Sequence, residues 1–65
     1  MKLIDTTDRN GKKAIGKDCV LAYRGNNTYI GWDGCYLNTE QVKQITREDN
    51  RVVITTKNNT YILED

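Results

Sequence analysis

Residues 43–64, KQITREDNRVVITTKNNTYILE, decide the fold of this chain because three short runs of strand-forming residues alternate with two polar turns. Val, Ile, Thr and Tyr favour extended strands, whereas Asn and Asp tolerate the backbone angles of tight turns. A turn at Asp49-Asn50 places Ile45 opposite Ile54 and Arg47 opposite Val52. These residues therefore predict an antiparallel hairpin.

A second turn, at Asn58-Asn59, extends this hairpin to a third strand. Taken as a two-residue turn, it places Thr56 opposite Tyr61 and Ile54 opposite Leu63. The two turns agree on which side chains share a face, and such agreement is expected of a real meander. The predicted apolar face consists of Ile45, Val52, Ile54, Tyr61 and Leu63.

Turn signals recur about every ten residues upstream, at Asn10-Gly11, Gly25-Asn26-Asn27 and Asp33-Gly34. The first segment, Lys2–Thr7, is expected to turn and return as a strand over Lys12–Gly16. We therefore predict an all-β fold, with five or six antiparallel strands in a small SH3-like barrel or meander. Proline is absent and no low-complexity linker interrupts the chain, so residues 1–65 are expected to form a single domain.

One segment carries a helix signal within this strand-rich chain. Asn38 has the side chain of a helix N-cap, and Gln41 stands three residues later, as in a capping box. Leu37 and Val42 have the spacing of a hydrophobic staple. The sequence therefore predicts one helical turn near residues 39–42, leading into the strand that begins at Lys43.

The middle hairpin is predicted to be apolar on both faces. A three-residue loop at Gly25-Asn26-Asn27 would pair Asp18–Arg24 with Thr28–Tyr36 and set Arg24 opposite Thr28. One face would then carry Cys19, Leu21, Tyr23 and Tyr29, and the other Val20, Ala22, Ile30, Trp32 and Tyr36. A hairpin that is apolar on both sides either lies in the centre of a barrel or has one face against a partner.

The inventory of reactive side chains argues against catalysis. The chain contains no His and no Ser, which removes Ser–His triads and His-ligated metal sites. Cys19 and Cys35 stand sixteen residues apart without further ligands, so we expect free thiols rather than a zinc site or a disulfide. The sequence thus predicts a protein that is not an enzyme and needs no cofactor or metal.

The start of the chain and its overall charge bear on location. Met1-Lys2-Leu3-Ile4-Asp5 reaches a carboxylate before an apolar signal region could form, and no run approaches a membrane span. The formal net charge of +1 gives little general attraction for nucleic acids or acidic lipids. We therefore expect a cytoplasmic protein. The small size and the richness in Asn, Lys and Thr suggest an accessory or inhibitory protein of a phage or mobile element.

Two groups of side chains are candidates for binding. Tyr, Trp and Arg dominate protein–protein hot spots, and five such residues fall within fourteen positions: Tyr23, Arg24, Tyr29, Trp32 and Tyr36. The second group is basic and belongs to the first turn: Arg9, Lys12, Lys13 and Lys17. These cations could contact a phosphate backbone or an acidic protein, or they could simply solubilise a turn and blunt an edge strand.

The C-terminal part of the chain, a little under half of it, also resembles a known pattern. Residues 37–64 are similar to the short β-meander of the small flagellar FlbD family, with its L-N start, paired apolar positions, V-I-T strand, Asn turn and closing aromatic strand. The matching positions include Leu37-Asn38, Val42, Ile45, Val53–Thr55, Asn58 and Tyr61. The resemblance implies the same strand register and a cytoplasmic setting, and it implies no catalytic residues.

The pentapeptide NNTYI occurs twice, at residues 26–30 and 58–62. The two copies could be glycosylation sequons, a duplicated module or a reused hairpin turn. Sequons require export, and the chain halves share almost no other identity at an offset of 32 residues. We interpret both copies as hairpin turns. The leading function hypothesis is a non-enzymatic module that binds another protein, or a second copy of itself, through the aromatic hairpin, and the alternative is a nucleic-acid-binding barrel.

Overall fold

A computed structural model describes all residues from 1 to 65 and confirms the all-β prediction. Six antiparallel strands form one sheet that curls into a half-barrel, with the spatial order β1-β6-β5-β4-β3-β2. Strongly twisted small sheets curl in this way to enclose an apolar interior. The strands are β1 (Lys2–Thr6), β2 (Val20–Arg24), β3 (Asn27–Trp32), β4 (Cys35–Glu48), β5 (Arg51–Thr56) and β6 (Thr60–Glu64), and a 3-10 helix covers Lys12–Ala14.

The C-terminal meander has the predicted apolar face. Ile45 lies opposite Ile54, as the turn at Asp49-Asn50 predicts. The second turn is longer than predicted, so that Tyr61, and not Leu63, faces Ile54. This shift of two residues preserves the face, because side chains alternate with a period of two. The core contains Val52, Ile54, Tyr61 and Leu63 from this meander, and Ile45 packs against them.

The middle hairpin differs from its predicted register by one residue. Its turn contains only Gly25 and Asn26, and Arg24 therefore faces Asn27 instead of Thr28. Gly25 has φ +60°, which fits the first central position of a type II′ turn. A slip of one residue exchanges the faces of one strand relative to the other. Ile30 and Trp32 consequently share the core with Cys19 and Leu21, while Tyr29 shares the outer face with Val20 and Ala22.

The predicted helical turn at residues 39–42 is wrong, because this segment is part of the fourteen-residue strand β4. Asn38 does accept a hydrogen bond from the Glu40 N–H, at 2.8 Å, as a helix cap would. Here that bond supports a bulge in which Glu40 adopts φ +66° and two residues of β4 oppose Thr28. A second irregularity follows at Lys43. The two bends let β4 pair first with β3 and then with β5, which curls the sheet.

The N-terminal segment also differs from its prediction. Residues 12–16 do not return as a strand; Lys12–Ala14 form the 3-10 helix, and β1 pairs with β6 instead. Residues 15–19 then run beside β1. Leu3 donates its N–H to the Lys17 carbonyl at 3.2 Å and accepts the Gly16 N–H at 2.7 Å. These bonds connect the segment leading into β2 to the opposite side of the half-barrel.

One buried polar contact holds the loop after β1 in place. The Tyr61 hydroxyl donates a hydrogen bond to the Asp8 carboxylate at 2.5 Å, and the Tyr61 side chain is almost fully buried. Asp8 also accepts the Asn10 N–H at 2.9 Å. Burial, the hydrogen bond to Asp8 and the negative charge of Asp8 raise the pKa of Tyr61 above its ordinary value. This contact ties the loop to the beginning of β6.

Candidate protein-binding surface

The outer face of β2, β3 and β4 carries the two most exposed large apolar side chains of the molecule. Val20 and Tyr36 are 74% and 73% exposed. Gly31 lies between them in the same row across the three strands, since it faces Val20 on one side and Tyr36 on the other. A Cβ atom at Gly31 would have only ordinary contacts, so the position is open. The row Val20-Gly31-Tyr36 is therefore apolar at both ends and empty in the middle.

The adjacent row completes a shallow hollow. Ala22 faces Tyr29, whose ring lies 5.7 Å from the ring of Tyr36 in a tilted arrangement. Such tilted aromatic pairs are favourable and fix the orientation of both rings. The hollow is lined by Ala22, Arg24, Tyr29 and Tyr36. We name the set Val20, Ala22, Arg24, Tyr29, Gly31 and Tyr36 the outer aromatic surface.

Arg24 is the charged member of this surface. It makes no ion pair and no side-chain hydrogen bond within the chain. An exposed arginine beside two tyrosines is a combination enriched in protein–protein hot spots. Its guanidinium is free to contact a partner.

Tyr23 and Trp32, two of the five predicted hot-spot residues, do not belong to this surface. Trp32 lies in the core and is 8% exposed. Tyr23 points to the inner side of the hairpin, where the Arg47 guanidinium lies 5.5 Å from its ring centroid and donates a hydrogen bond to its hydroxyl. Tyr23 and Arg47 therefore link the β2–β3 hairpin to the far end of β4. The structure brings Arg24, Tyr29 and Tyr36 together and separates Tyr23 and Trp32 from them.

Sequence reasoning missed Val20 and Ala22 as companions of Tyr29. A three-residue loop would put Val20 and Ala22 on the same face as Ile30 and Trp32. In the structure Ile30 and Trp32 lie in the core, and Val20 and Ala22 lie on the opposite face. The signal that could have corrected this is Gly25, because glycine at the first central position favours a two-residue type II′ turn. That turn alone assigns Val20, Ala22 and Tyr29 to one face.

The edge of β2 next to this surface is only partly covered. Residues 15–19 pair with β1, and the Cys19 N–H donates to the Met1 carbonyl at 2.5 Å. Beyond Cys19, β2 pairs with β3 alone. An uncovered edge presents unpaired N–H and C=O groups that another strand can bind.

The basic residues of the first turn do not form a compact patch with the aromatic surface. Lys12 and Lys13 lie on the 3-10 helix, and Arg9 lies in the turn before it; all three are exposed and make no ion pair. Lys17 forms an ion pair with Asp33 at 3.3 Å. Three of the four predicted cations are thus free to contact an anionic partner.

The two cysteines differ in environment, and both are free. Cys19 is buried, and its thiol donates a hydrogen bond to the Lys17 carbonyl at 3.3 Å. Burial raises the pKa of the Cys19 thiol, which lowers its reactivity. Cys35 is exposed. No group of three or more His, Cys, Asp and Glu side chains is placed to hold a metal ion.

The chain has no helix long and apolar enough to cross a membrane. No protein-family model, no curated protein and no solved structure matches it. Three features of the chain itself bear on its function: the outer aromatic surface, the uncovered edge of β2 and the free cations Arg9, Lys12 and Lys13.

Proposed function

We propose that this chain is a cytoplasmic, non-enzymatic binding module that recognises another protein through the outer aromatic surface. The observation that carries the proposal is the pair of exposed side chains Val20 and Tyr36 on either side of the open position at Gly31. Large apolar side chains exposed together around a hollow are typical of protein interaction sites. The absence of His and Ser from the sequence supports a role in binding instead of catalysis.

The strand framework supports this role by presenting the side chains rigidly. Tyr29 and Tyr36 come from neighbouring strands and orient each other, so few rotamers have to be fixed when a partner binds. Size and composition support the narrower proposal of an accessory or inhibitory protein of a phage or mobile element. The resemblance of residues 37–64 to the FlbD family stays a prediction.

The test compares capture of proteins by wild type and by two variants. Tyr36→Ala removes an exposed anchor, and we expect it to weaken binding of the specific partner by at least tenfold, as for a hot-spot residue. The matched control is Lys12→Ala/Lys13→Ala, which we expect to retain the same partner. Capture from bacterial lysate with and without nuclease, read by mass spectrometry, identifies proteins that depend on Tyr36. If every captured protein is retained by a folded Tyr36→Ala variant, the proposal is wrong.

The free cations Arg9, Lys12 and Lys13 favour nucleic-acid binding as a second candidate function. Binding through phosphate contacts must weaken steeply with added salt, since each neutralised phosphate releases counterions. Fluorescence anisotropy with a labelled oligonucleotide across a salt series tests this directly. Binding that survives Lys12→Ala/Lys13→Ala, or that does not change with salt, would eliminate this candidate.

A further inference from the structure

We propose that the partner at the β2 edge is a second copy of this chain. The two copies pair their β2 strands antiparallel about a two-fold axis that passes beside Ala22. This inference rests on the proposed function, because it names the occupant of the same outer aromatic surface.

The first support is the pattern of hydrogen-bonding groups along β2. In the β2–β3 hairpin, the residues flanking the two-residue turn form a hydrogen-bonded pair, so Arg24 and Ala22 direct their N–H and C=O groups towards β3. Leu21 and Tyr23 therefore direct theirs the opposite way, as Cys19 does towards Met1. None of the backbone hydrogen bonds outside the strand ladders involves Leu21 or Tyr23. The edge thus offers two N–H and two C=O groups in a row.

The second support is that only one symmetric register uses this edge fully. Outward-directed residues must face each other across an antiparallel pair. A pair centred on Leu21 would place Cys19 opposite Tyr23 of the second copy, but the Cys19 N–H already donates to the Met1 carbonyl. A pair centred on Tyr23 would align the turn residue Gly25 with Leu21. In a pair centred on Ala22, Leu21 of each copy faces Tyr23 of the other. The two free N–H and two free C=O groups of each edge then all form hydrogen bonds.

The third support is the side-chain complementarity in this register. Ala22, the smallest side chain of β2, faces its own copy at the axis, and Val20 faces Arg24 of the second copy. No like charges oppose each other, which matters because such pairs destabilise strand pairing. On the inner side, the half-buried Leu21 meets the half-exposed Tyr23 of the second copy.

The register also gives the free arginine a partner. Arg24 of the second copy continues the row of Val20, Gly31 and Tyr36. The guanidinium has to pass beside Val20 to reach the space over Gly31, which has no side chain, and from there it can approach the Tyr36 ring. Contacts within about 6 Å of a ring centroid are attractive. Arg47 and Tyr23 make the same type of contact within one chain, at 5.5 Å. By symmetry, Arg24 of each copy makes this contact with Tyr36 of the other copy.

The experiment uses opposite charges at the axis. In this register the two residues at position 22 form a non-hydrogen-bonded pair with Cα atoms about 4.5 Å apart. Ala22→Lys and Ala22→Glu therefore each place like charges against each other, whereas an equimolar mixture places opposite charges together. We expect the wild type to have twice the 7.5 kDa chain mass by sedimentation equilibrium. Each variant alone should be monomeric, with dimerisation weakened at least tenfold, and the mixture should dimerise.

Thr55→Lys is the matched control, because it adds the same charge to the outer face of β5, away from the β2 edge. We expect this variant to dimerise like the wild type. Trp32 fluorescence and circular dichroism verify that each variant is folded. If Ala22→Glu is the only variant that does not fold, Arg24→Ala replaces it in the test, and this variant must also weaken the dimer. A wild type that stays monomeric at millimolar concentration, or a mixture that does not dimerise, overturns the proposal.

The outcome separates this inference from the proposed function. A monomeric chain that captures a different protein in a Tyr36-dependent manner overturns self-pairing and leaves the proposed function standing. A dimer that obeys the charge test, together with a Tyr36→Ala variant that loses no captured protein, supports self-pairing and contradicts recognition of a different protein.

Discussion

Tyr61→Phe is the substitution whose effect can be worked out most directly from the structure. The change removes only a hydroxyl, so the aromatic ring continues to fill the core and no cavity forms. The lost interaction is the hydrogen bond from the Tyr61 hydroxyl to the Asp8 carboxylate at 2.5 Å. Hydrogen bonds to charged groups contribute about 1.5–3 kcal/mol. We expect about 1.5 kcal/mol, because Asp8 is only partly buried and can recruit water in the variant.

This loss is large for a chain of 65 residues. Domains of this size lose roughly 4–8 °C of Tm per kcal/mol, so the variant should melt about 6–12 °C lower. The substitution should also change the alkaline behaviour. The folded state raises the pKa of Tyr61, so this residue contributes stability that is full below pH about 10 and is lost at higher pH. The loss amounts to about 1.4 kcal/mol per pH unit for one proton, and Tyr61→Phe removes this component.

The assay is urea unfolding followed by Trp32 fluorescence, since Trp32 is buried in the native protein. The matched control is Tyr36→Phe, which removes a hydroxyl that has no hydrogen-bond partner. It should change the free energy of unfolding by less than about 0.5 kcal/mol. A double-mutant cycle with Asp8→Ala should return a coupling of about 1 kcal/mol. Equal midpoints for Tyr61→Phe and Tyr36→Phe would refute the reasoning.

Three further predictions concern a turn, the core and the thiols. Gly34→Ala should destabilise the protein by about 1–2 kcal/mol in urea unfolding, because Gly34 has φ +80° and an added Cβ meets no neighbour that could compensate. Ile54→Val should cost about 0.5–1.5 kcal/mol in the same assay, since Ile54 is fully buried. With a disulfide reagent at pH 8, the exposed Cys35 should react quickly and Cys19 only on unfolding, because burial protects Cys19 and raises its pKa; two fast thiols in the native protein would contradict this assignment.

The C-terminal meander could be predicted from the sequence because its two turns constrain each other. Asp49-Asn50 fixes one register, and the alternation of Val52, Ile54, Tyr61 and Leu63 fixes the face. An error of two residues at the second turn did not change the face, since two is the period of a strand. Local pattern and tertiary burial agree in this segment.

The candidate surface could be predicted only in part, because the middle hairpin is apolar on both sides. A register is normally set by the alternation of apolar and polar residues, and this alternation is absent there. The length of the turn alone therefore determines the register of the hairpin. One residue of error in that turn moved Val20 and Ala22 to the wrong face. The helix predicted at residues 39–42 failed for a related reason: the Asn38 cap is real, but long-range pairing of β4 with β3 and β5 outweighs a short helical propensity.

The two copies of NNTYI show how strongly long-range pairing determines the role of a short sequence. In residues 58–62 the tyrosine is buried and the isoleucine is partly exposed, whereas in residues 26–30 the isoleucine is buried and the tyrosine lies on the outer face. The residues that follow account for the inversion. Leu63 enters the core two positions after Tyr61, and Trp32 enters it two positions after Ile30. In each strand the residues that enter the core are the apolar ones at alternating positions, Ile30 and Trp32 in β3 and Tyr61 and Leu63 in β6. Tyr29 therefore points outwards and is available for the outer aromatic surface.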